Sequence, residues 1–288
     1  MSRRPDDPPH AGRRPVTPFL ARQERFASVG STNDVVRGWL ATGTGEVCLA
    51  VADEQTAGRG RNGRRWVAPS GAALLLSLGF RPDWLAPERV WRLVATASLA
   101  MADAAEEVAG LADRAIRLKW PNDLVVEGAG GGGIRKLAGL LGETGGLGSD
   151  QPLAIVGLGI NADWAPATFP ADLVGSMTSL REASGGRPID LAALLDAFLG
   201  RLEVRVEALR GGRFDVADWT DRQLTTGREV RIVGRDGQTE LARALGVDAV
   251  SGALVVADAT SPDGERPILV GEIVQVRLAA STASASRV

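Results

Sequence analysis

Several residue types that carry common enzyme chemistry are scarce or absent in this chain of 288 residues. It has no tyrosine, one cysteine, Cys48, and one histidine, His10, which lies in a segment rich in proline and arginine. One cysteine excludes an intramolecular disulfide and a cysteine zinc cluster, and it is typical of a reducing compartment. One histidine in such a segment argues against a serine–histidine triad and against histidine metal sites.

Long apolar segments are also missing from the sequence. Residues 1–18 lack the apolar stretch that a secretory signal peptide needs, and no run approaches the length of a membrane span. We therefore expect a cytoplasmic protein without membrane attachment, a disordered leader at residues 1–18 and a disordered tail at residues 279–288. The formal net charge of −2 also argues against a protein that coats nucleic acid.

Lysine is nearly absent: of the 33 lysines and arginines, only residues 119 and 136 are lysine. Both lie in polar segments that resemble site loops, KWPND and KLAG. The lysine ammonium is a compact point charge, whereas the arginine guanidinium is a planar fork. A lysine retained against such a bias indicates a position that needs the ammonium. Taken alone, the low count is explained equally well by a codon bias toward arginine.

Apolar periodicity predicts a mixed α/β domain over residues 19–224. Polar side chains at 31–34 would cap a helix at 35–40, Pro87 would begin a long helix, and residues 191–209 carry the clearest helical stripe. The predicted strands of this domain are 25–29, 46–52, 73–80, 116–118, 124–126, 137–141 and 153–160.

The pattern changes after residue 224, where short strands alternate with turn signals. Such a pattern is typical of a small β-barrel, which we predict over residues 225–278. Its predicted strands are 229–233, 239–245, 253–256, 268–270 and 273–278.

Residues 58–66, GRGRNGRRW, are the clearest sign of a binding site. Glycines let backbone N–H groups approach an anion, arginines supply forked donors for carboxylate and phosphate, and an indole can stack on a nucleobase. We expect this loop to be mobile when empty and ordered by an anionic ligand. An RGG-like RNA-binding tract is the alternative, but one compact copy in a near-neutral chain favours a small anion.

A second polar segment, residues 119–123 with the sequence KWPND, follows a predicted strand. Here Lys119 can neutralise a phosphate, Asn122 can orient one and Asp123 can hold Mg²⁺. Pro121 would stiffen the turn that presents them. An ordinary surface turn with charged side chains remains the alternative for this segment.

Three further segments contain glycine. Residues 136–139 place Lys136 at the mouth of an apolar strand, and residues 157–161 end a strand with glycines and an asparagine. Residues 128–133, GAGGGG, form either a phosphate-binding loop or a hairpin connection. The hairpin is the better interpretation, because no helix and no GKS/T sequence follow.

Together these segments describe a site for a carboxylate substrate and a magnesium nucleotide. Two anions ~4 Å apart repel by about 4 kcal/mol at the effective dielectric of a protein surface. A cluster of Arg61, Arg64, Lys119, Lys136 and Mg²⁺ would make the encounter attractive. The implied reaction is attack of the carboxylate on the α-phosphate, which gives an acyl-adenylate and pyrophosphate.

The sequence resembles those of the biotin protein ligases. The matching motifs are STN at 31–33, QTAGRGRNGRRW at 55–66, KWPND at 119–123, KLAG at 136–139 and GLGIN at 157–161, in the order of the family. The resemblance implies an α+β catalytic domain, built on a mixed sheet with helices as in class II aminoacyl-tRNA synthetases. It also implies an SH3-like β-barrel after that domain. The GAGGGG insertion is longer than is usual in the family.

The resemblance also assigns roles by position. It implies catalytic roles for Lys136, Arg61, Lys119 and Asp123, and a contact between Asp123 and Mg²⁺. The implied biotin-binding residues are Ser31, Thr32, Asn33, Gln55, Gly58, Arg59, Gly60, Arg61, Lys136, Gly139, Leu141 and Gly159. The implied ATP-binding residues are Arg61, Arg64, Trp66, Lys119, Asn122, Asp123, Lys136 and Asn161.

A ligase of this family would form biotinyl-5′-AMP with ATP and Mg²⁺, release pyrophosphate and transfer biotin to a lysine of a biotin carboxyl carrier protein. Longer members carry an N-terminal helix-turn-helix that represses biotin-synthesis genes. About 24 residues precede the first predicted strand, so we expect no operator binding. No obvious general base exists for the acceptor amine; either Asp123 orients it or solvent takes its proton.

Alternatives remain open at the level of sequence. A lipoate–protein ligase shares the chemistry and the general fold but has different motifs. A non-catalytic biotin or nucleotide sensor would bind without releasing pyrophosphate, and an RNA binder would show steep salt dependence. The oligomeric state, a monomer or a weak homodimer, is not determined by the sequence.

The scarcity of lysine predicts little self-biotinylation. An acyl-adenylate that leaves the site acylates nearby amines, and the sequence offers only the N-terminus, Lys119 and Lys136. Peptide mass spectrometry after incubation with biotin and ATP should therefore find sparse labelling, confined to these amines. Abundant labelling of Lys119 or Lys136 during turnover would contradict their assignment as shielded site residues.

Overall fold

The computed structural model describes residues 19–128, 133–234, 237–269 and 272–277. The predicted leader at residues 1–18 and the predicted tail at residues 279–288 lie outside the described residues. Within these ranges, none of the helices is both long and apolar enough to cross a lipid bilayer.

Seven strands of the described residues form one mixed sheet in the order β1-β2-β3-β7-β6-β5-β4. The pair β1–β2 is parallel and the other neighbouring pairs are antiparallel. The strands are β1 (Arg22–Phe26), β2 (Cys48–Ala52), β3 (Ala73–Phe80), β4 (Ile116–Lys119), β5 (Asp123–Glu127), β6 (Ile134–Gly145) and β7 (Leu153–Asn161).

Helices cover both faces of this sheet. The first helix, α1 (Thr32–Ala41), packs Val36, Trp39 and Leu40 on the face that carries Cys48. On the opposite face lie α2 (Trp91–Ala109) and α4 (Leu191–Arg210), which contact each other. Two short helices, α3 (Leu180–Ala183) and α5 (Val216–Asp221), flank α4. Because β2 and β3 are covered on both sides, all their residues are buried.

The buried position of Cys48 changes its acidity. The thiol is fully buried between the sheet and α1, and this burial raises its pKa to about 11. Loss of solvation disfavours the thiolate, so the side chain behaves as a small apolar group of the core.

Five further strands of the described residues form a second, antiparallel sheet in the order β11-β10-β9-β8-β12. Its formation after the mixed domain agrees with the predicted SH3-like barrel, while the boundary near residue 224 stays a prediction. The strands are β8 (Glu229–Val233), β9 (Thr239–Val247), β10 (Leu254–Ala257), β11 (Glu265–Ile268) and β12 (Glu272–Arg277).

The α+β fold class is confirmed, and most predicted elements overlap the observed ones. Strand β3 has the predicted bounds, and α4 extends only one residue beyond its prediction. The first helix begins at Thr32, and the Ser31 side chain makes no capping hydrogen bond. The glycine run at 128–133 joins the antiparallel strands β5 and β6, as predicted, although residues 129–132 lie outside the described part.

Two strand predictions were wrong in position. The first strand is β1 at Arg22–Phe26 rather than 25–29, because the chain bends at residues 27–28 and Val29 then makes only an isolated bridge to Gln55. The eleventh strand is β11 at Glu265–Ile268 rather than 268–270. Pro267 argues against a strand by propensity, but β11 is an edge strand that pairs with β10 alone, so the missing N–H is tolerated.

A buried ion-pair network connects α2, β4 and the end of α5. The Arg222 side chain is 3% exposed and donates to Glu106 at 2.9 Å, to Asp103 at 2.6 Å and to Asp218 at 3.2 Å. It also donates to the Ile116 carbonyl at 3.0 Å. The network therefore fixes the strand that leads to the KWPND turn.

Replacing Arg222 with methionine should lower the stability of the fold strongly. Removal of one partner leaves buried carboxylates without compensation, which typically costs about 3–5 kcal/mol. Urea unfolding should show a large drop in midpoint. As a control, Arg266→Met removes a surface pair with Glu240 and should cost no more than about 1 kcal/mol. Equal midpoints for the two variants would contradict this interpretation.

Candidate functional site

A cavity of about 120 Å³ lies where the start of α1, the strands β6 and β7, the KWPND turn and residues 58–66, here called the arginine loop, meet. Sixteen of the residues predicted from the sequence line it. They are Ser31, Thr32, Asn33, Gln55, Arg59, Gly60, Arg61, Arg64, Trp66, Lys119, Asn122, Asp123, Lys136, Gly139, Leu141 and Gly159.

The remaining two predicted residues lie outside this lining. Gly58 sits at the base of the arginine loop, where an added Cβ would lie 2.5 Å from the Trp66 carbonyl oxygen. Asn161 ends β7 and lines a larger adjoining hollow of about 800 Å³. Residues 76, 140 and 158, all leucine, line the cavity and were not predicted.

Glycines in β6 and β7 form a floor that lets side chains from other elements lie against the sheet. An added Cβ on Gly159 would stand 2.6 Å from the Trp66 indole, and one on Gly157 would stand 2.3 Å from Asn33 Oδ1. An added Cβ on Gly139 would stand 3.1 Å from Lys136 Nζ. Any larger residue at 157 or 159 would displace a site side chain, so these glycines are required by close approach.

A chain of buried polar groups holds the start of α1. The Gln55 side-chain oxygen accepts from the Thr32 N–H at 2.8 Å and from its hydroxyl at 3.0 Å. The Ser77 hydroxyl lies 2.7 Å from that of Thr32 and 2.5 Å from Asn33 Oδ1. Asn33 in turn donates to Glu143 at 2.5 Å. Neither Ser77 nor Glu143 was predicted from the sequence; a lone hydroxyl in the apolar run ALLLSLGF was the available signal for Ser77.

The arginine loop is folded as a tight hairpin. Its backbone bonds join Gly60 N–H to the Arg64 carbonyl at 2.8 Å and Trp66 N–H to the Gly58 carbonyl at 3.0 Å. Asn62 occupies the left-handed region at its tip, with φ of 57°. The structure therefore describes an ordered loop, and its mobility without a ligand stays a prediction.

Two arginines of the loop connect it to neighbouring elements. Both terminal nitrogens of Arg59 donate to the carboxylate of Asp34, each at 2.7 Å, and this pairing lowers the pKa of Asp34. Arg61 donates to Asn122 Oδ1 at 3.3 Å and so bridges to the KWPND turn. The loop is thus fixed on α1 at one side and on the turn at the other.

Both lysines of the chain meet one carboxylate. Lys136 Nζ lies 2.6 Å from Asp123 Oδ1, and Lys119 Nζ lies 3.9 Å from Asp123 Oδ2. Strand pairing causes this, because Lys119 is the register partner of Asp123, while Lys136 lies on the next strand, β6. Two ammonium groups around one carboxylate leave a net positive charge, which attracts anions.

The Trp66 side chain lines both the small cavity and the larger hollow. The ring faces Lys136, whose Nζ lies 5.6 Å from its centre. Among the described residues its buried Nε1 has no hydrogen-bond partner. The hollow shares Trp66, Lys119, Asp123 and Lys136 with the cavity and adds apolar side chains and Asn161, which donates to the Thr178 carbonyl at 2.9 Å.

The described residues contain no cluster of three or more histidine, cysteine, aspartate or glutamate side chains that could hold a metal ion. Magnesium is commonly held by one or two carboxylates together with substrate phosphates. Asp123 supplies one such carboxylate, beside two lysines that would attract the phosphates. Its contact with Mg²⁺ stays a prediction.

Comparison with known proteins identifies clear relatives. Residues 26–161 match the sequence model of the biotin/lipoate A/B protein ligase family. The chain is 33% identical over 225 residues to the biotin–[acetyl-CoA-carboxylase] ligase of Mycobacterium tuberculosis, which covers 77% of this chain and 78% of that protein. It is 30% identical over 238 residues to the ligase of that name from Paracoccus denitrificans, with 81% and 92% covered.

A solved structure shares the architecture. The biotin protein ligase from Aquifex aeolicus in complex with biotin and ATP superposes with a TM-score of 0.71 at 26% identity. The match covers 89% of this chain and 98% of that one.

Replacing Gly159 with alanine should move the Trp66 ring out of its position. Overpacking of this kind typically costs about 1–3 kcal/mol, so the indole must shift or the sheet must distort. In protein labelled with fluorotryptophan, the ¹⁹F resonance of Trp66, assigned among the seven tryptophans with Trp66→Phe, should shift. Gly38→Ala is the matched control, because its Cβ would meet no atom within 4 Å. An unshifted resonance in Gly159→Ala would contradict the described contact.

Proposed function

This chain belongs to the biotin/lipoate A/B protein ligase family, as one of its biotin protein ligases, and we propose how it works. Biotin is activated as biotinyl-5′-AMP with release of pyrophosphate, and the biotinyl group then passes to a lysine of a biotin carboxyl carrier protein. The observation that carries the proposal is the Lys136–Asp123–Lys119 cluster at the junction of the small cavity and the larger hollow.

The small cavity is the proposed biotin site. Its inner end presents Thr32 and Gln55, which supply the donors and acceptors that a ureido ring needs. Apolar walls from Leu76 and Leu158 suit the rest of the ring system and the alkyl chain. In this placement the biotin carboxylate reaches Lys136, which exchanges its partner Asp123 for the substrate.

The larger hollow is the proposed nucleoside site. Its Trp66 face can stack on adenine, and the buried Nε1 offers a donor that the described residues leave without an acceptor. Apolar Trp164 and Met177 line the same hollow beside Asn161. The phosphates would then lie toward Lys119 and Arg64, between the two sites. The support from relatives is the Aquifex aeolicus structure, whose ligands are biotin and ATP.

In the proposed first step, a carboxylate oxygen attacks the α-phosphorus and the bond to pyrophosphate breaks. The two reactants are both anions, so their approach needs neutralisation, which Lys136, Lys119 and Arg61 supply at fixed positions. Mg²⁺ bound to the phosphates and to Asp123 would neutralise the charge on the leaving pyrophosphate.

In the second step the acceptor amine attacks the acyl carbon, an amide forms and AMP leaves. The amine must lose a proton for the amide to form. We propose that Asp123, once Lys136 has turned to the substrate, orients the amine; transfer of the proton directly to solvent is the alternative.

Two finer points complete the proposal. The partner is a biotin carboxyl carrier protein, and the ligase acts as a monomer or a weak homodimer. DNA binding is not part of the proposed function, because the formal net charge of −2 gives no general attraction to nucleic acid.

Exchange of radioactive pyrophosphate into ATP tests the adenylating step. Exchange should require biotin, and Lys136→Ala should lower its kcat/KM by ~100-fold or more, because a donor to the developing charge is lost. Arg135→Ala is the matched control, since Arg135 is the preceding residue of β6 and pairs with Glu182 at 2.6 Å. It should leave exchange within about twofold, because Arg135 lines neither the small cavity nor the larger hollow.

Three outcomes would contradict the proposal. Tight binding of biotin without exchange would indicate a sensor. Exchange that needs lipoate rather than biotin would indicate a lipoate ligase. Full exchange in Lys136→Ala would remove this lysine from the reacting centre.

A further inference from the structure

The turn that carries Lys119, Asn122 and Asp123 also contributes a residue to the core of the second sheet. Trp120 is 5% exposed and belongs to the hydrophobic cluster of that sheet. The cluster contains six further buried side chains, one of which is Ile232. Its indole N–H donates to the Gly252 carbonyl at 3.0 Å. The six side chains are Val230, Ile232, Ala244, Leu254, Val256 and Ile268.

The residue on the other side of Lys119 is also held from outside the main sheet. Leu118 N–H donates to the Arg222 carbonyl at 2.8 Å, and the Leu118 carbonyl accepts from Leu224 N–H at 2.8 Å. The segment that leads into the second sheet thus runs beside β4 as a short parallel bridge. Lys119 lies between two residues that the C-terminal part of the chain holds in place.

The second sheet has its own attachments to the large domain. Residues 249 and 250 accept hydrogen bonds from Arg92 at 2.9 Å and from the Trp91 indole at 3.3 Å. Arg228 pairs with Glu127 at 2.7 Å, beyond the far end of the turn. These contacts fix the small sheet on α2 and β5, so it offers Trp120 a stationary pocket.

We propose that the second sheet is a positioning element of the active site, acting through Trp120 on the KWPND turn. Trp120 is a positioning residue here: its indole holds Lys119 and Asp123 at the distances that nucleotide binding needs. Without this anchor the three residues between β4 and β5 would lose order in their backbone, and displacement of the charged groups at either end by about 1 Å can cost ~100-fold in rate. The inference rests on the proposed function.

Trp120 itself lines the small cavity, but Lys119 and Asp123, the two groups that it positions, also line the larger hollow proposed for the nucleoside. Thr32 and Gln55, the proposed biotin contacts, are held by Ser77 and α1, with no bond to the small sheet among the described residues. Loss of Trp120 should therefore weaken ATP binding and adenylation while biotin binding remains. This separation distinguishes a positioning role from a general loss of stability.

The test compares Trp120→Ala with Ile232→Ala, which removes apolar volume from the same core but leaves the turn intact. Trp120→Ala should raise the KM for ATP in pyrophosphate exchange by ~10- to 100-fold, with biotin affinity by calorimetry within about threefold. Trp120→Phe retains the buried ring and should recover most of the loss. Ile232→Ala should lower the melting temperature without changing the KM for ATP.

Several outcomes would overturn the inference. One is an unchanged KM for ATP in Trp120→Ala, and another is an equal rise in Ile232→Ala at matched loss of stability. If the alanine variant does not fold, Trp120→Leu carries the same comparison, and an unchanged KM there has the same meaning. Absence of biotin-dependent exchange in the unaltered protein would refute the proposed function instead.

Discussion

The ion pair between Lys136 and Asp123, with Lys119 on the other carboxylate oxygen, is the interaction on which the site depends. Three neighbouring strands, β4, β5 and β6, each bring one of these charges, so the cluster exists only when the sheet has the right register. A slip by one residue would turn the side chains of a strand to the other face. Backbone hydrogen bonds of the sheet thus set which strand positions these three charges occupy.

Two features of the structure hold the Lys136–Asp123–Lys119 cluster in place. Arg222, paired with its acidic partners, holds β4 through the Ile116 carbonyl. The glycines of β6 and β7 leave room for Trp66 beside Lys136. The two devices differ in physical kind, one electrostatic and one steric. Both limit motion of groups that, in the proposed reaction, must remain aligned while two anionic substrates are brought together.

The site could be predicted from the sequence because its charged residues lie in short contiguous segments. The arginine loop and the KWPND turn are contiguous, and lysines are so rare that both could be singled out. Strand β3 was predicted with its bounds, because ALLLSLGF is a short, nearly continuous apolar run of the kind that forms a buried strand. The cavity then gathered sixteen predicted residues from segments far apart in the chain.

What the sequence could not provide are contacts between distant segments. The Trp120 side chain packs in a core that is formed 110 or more residues later in the chain, and nothing in the KWPND sequence indicates that contact. Ser77 reaches Asn33 only because β3 lies beneath α1. The position of β11 was missed since Pro267 is tolerated at a sheet edge, and being an edge is a property of the topology rather than of local residues.

The burial of Cys48 has a practical consequence. With its thiol fully enclosed and its pKa near 11, the folded protein offers maleimides and related reagents no accessible thiolate from this residue. A cysteine introduced at a chosen surface position would then be the only residue that reacts with a thiol-specific probe, and Cys48 would not have to be replaced. One introduced cysteine would therefore carry a single spectroscopic label, and two would carry a dye pair that reports the distance between the arginine loop and the second sheet.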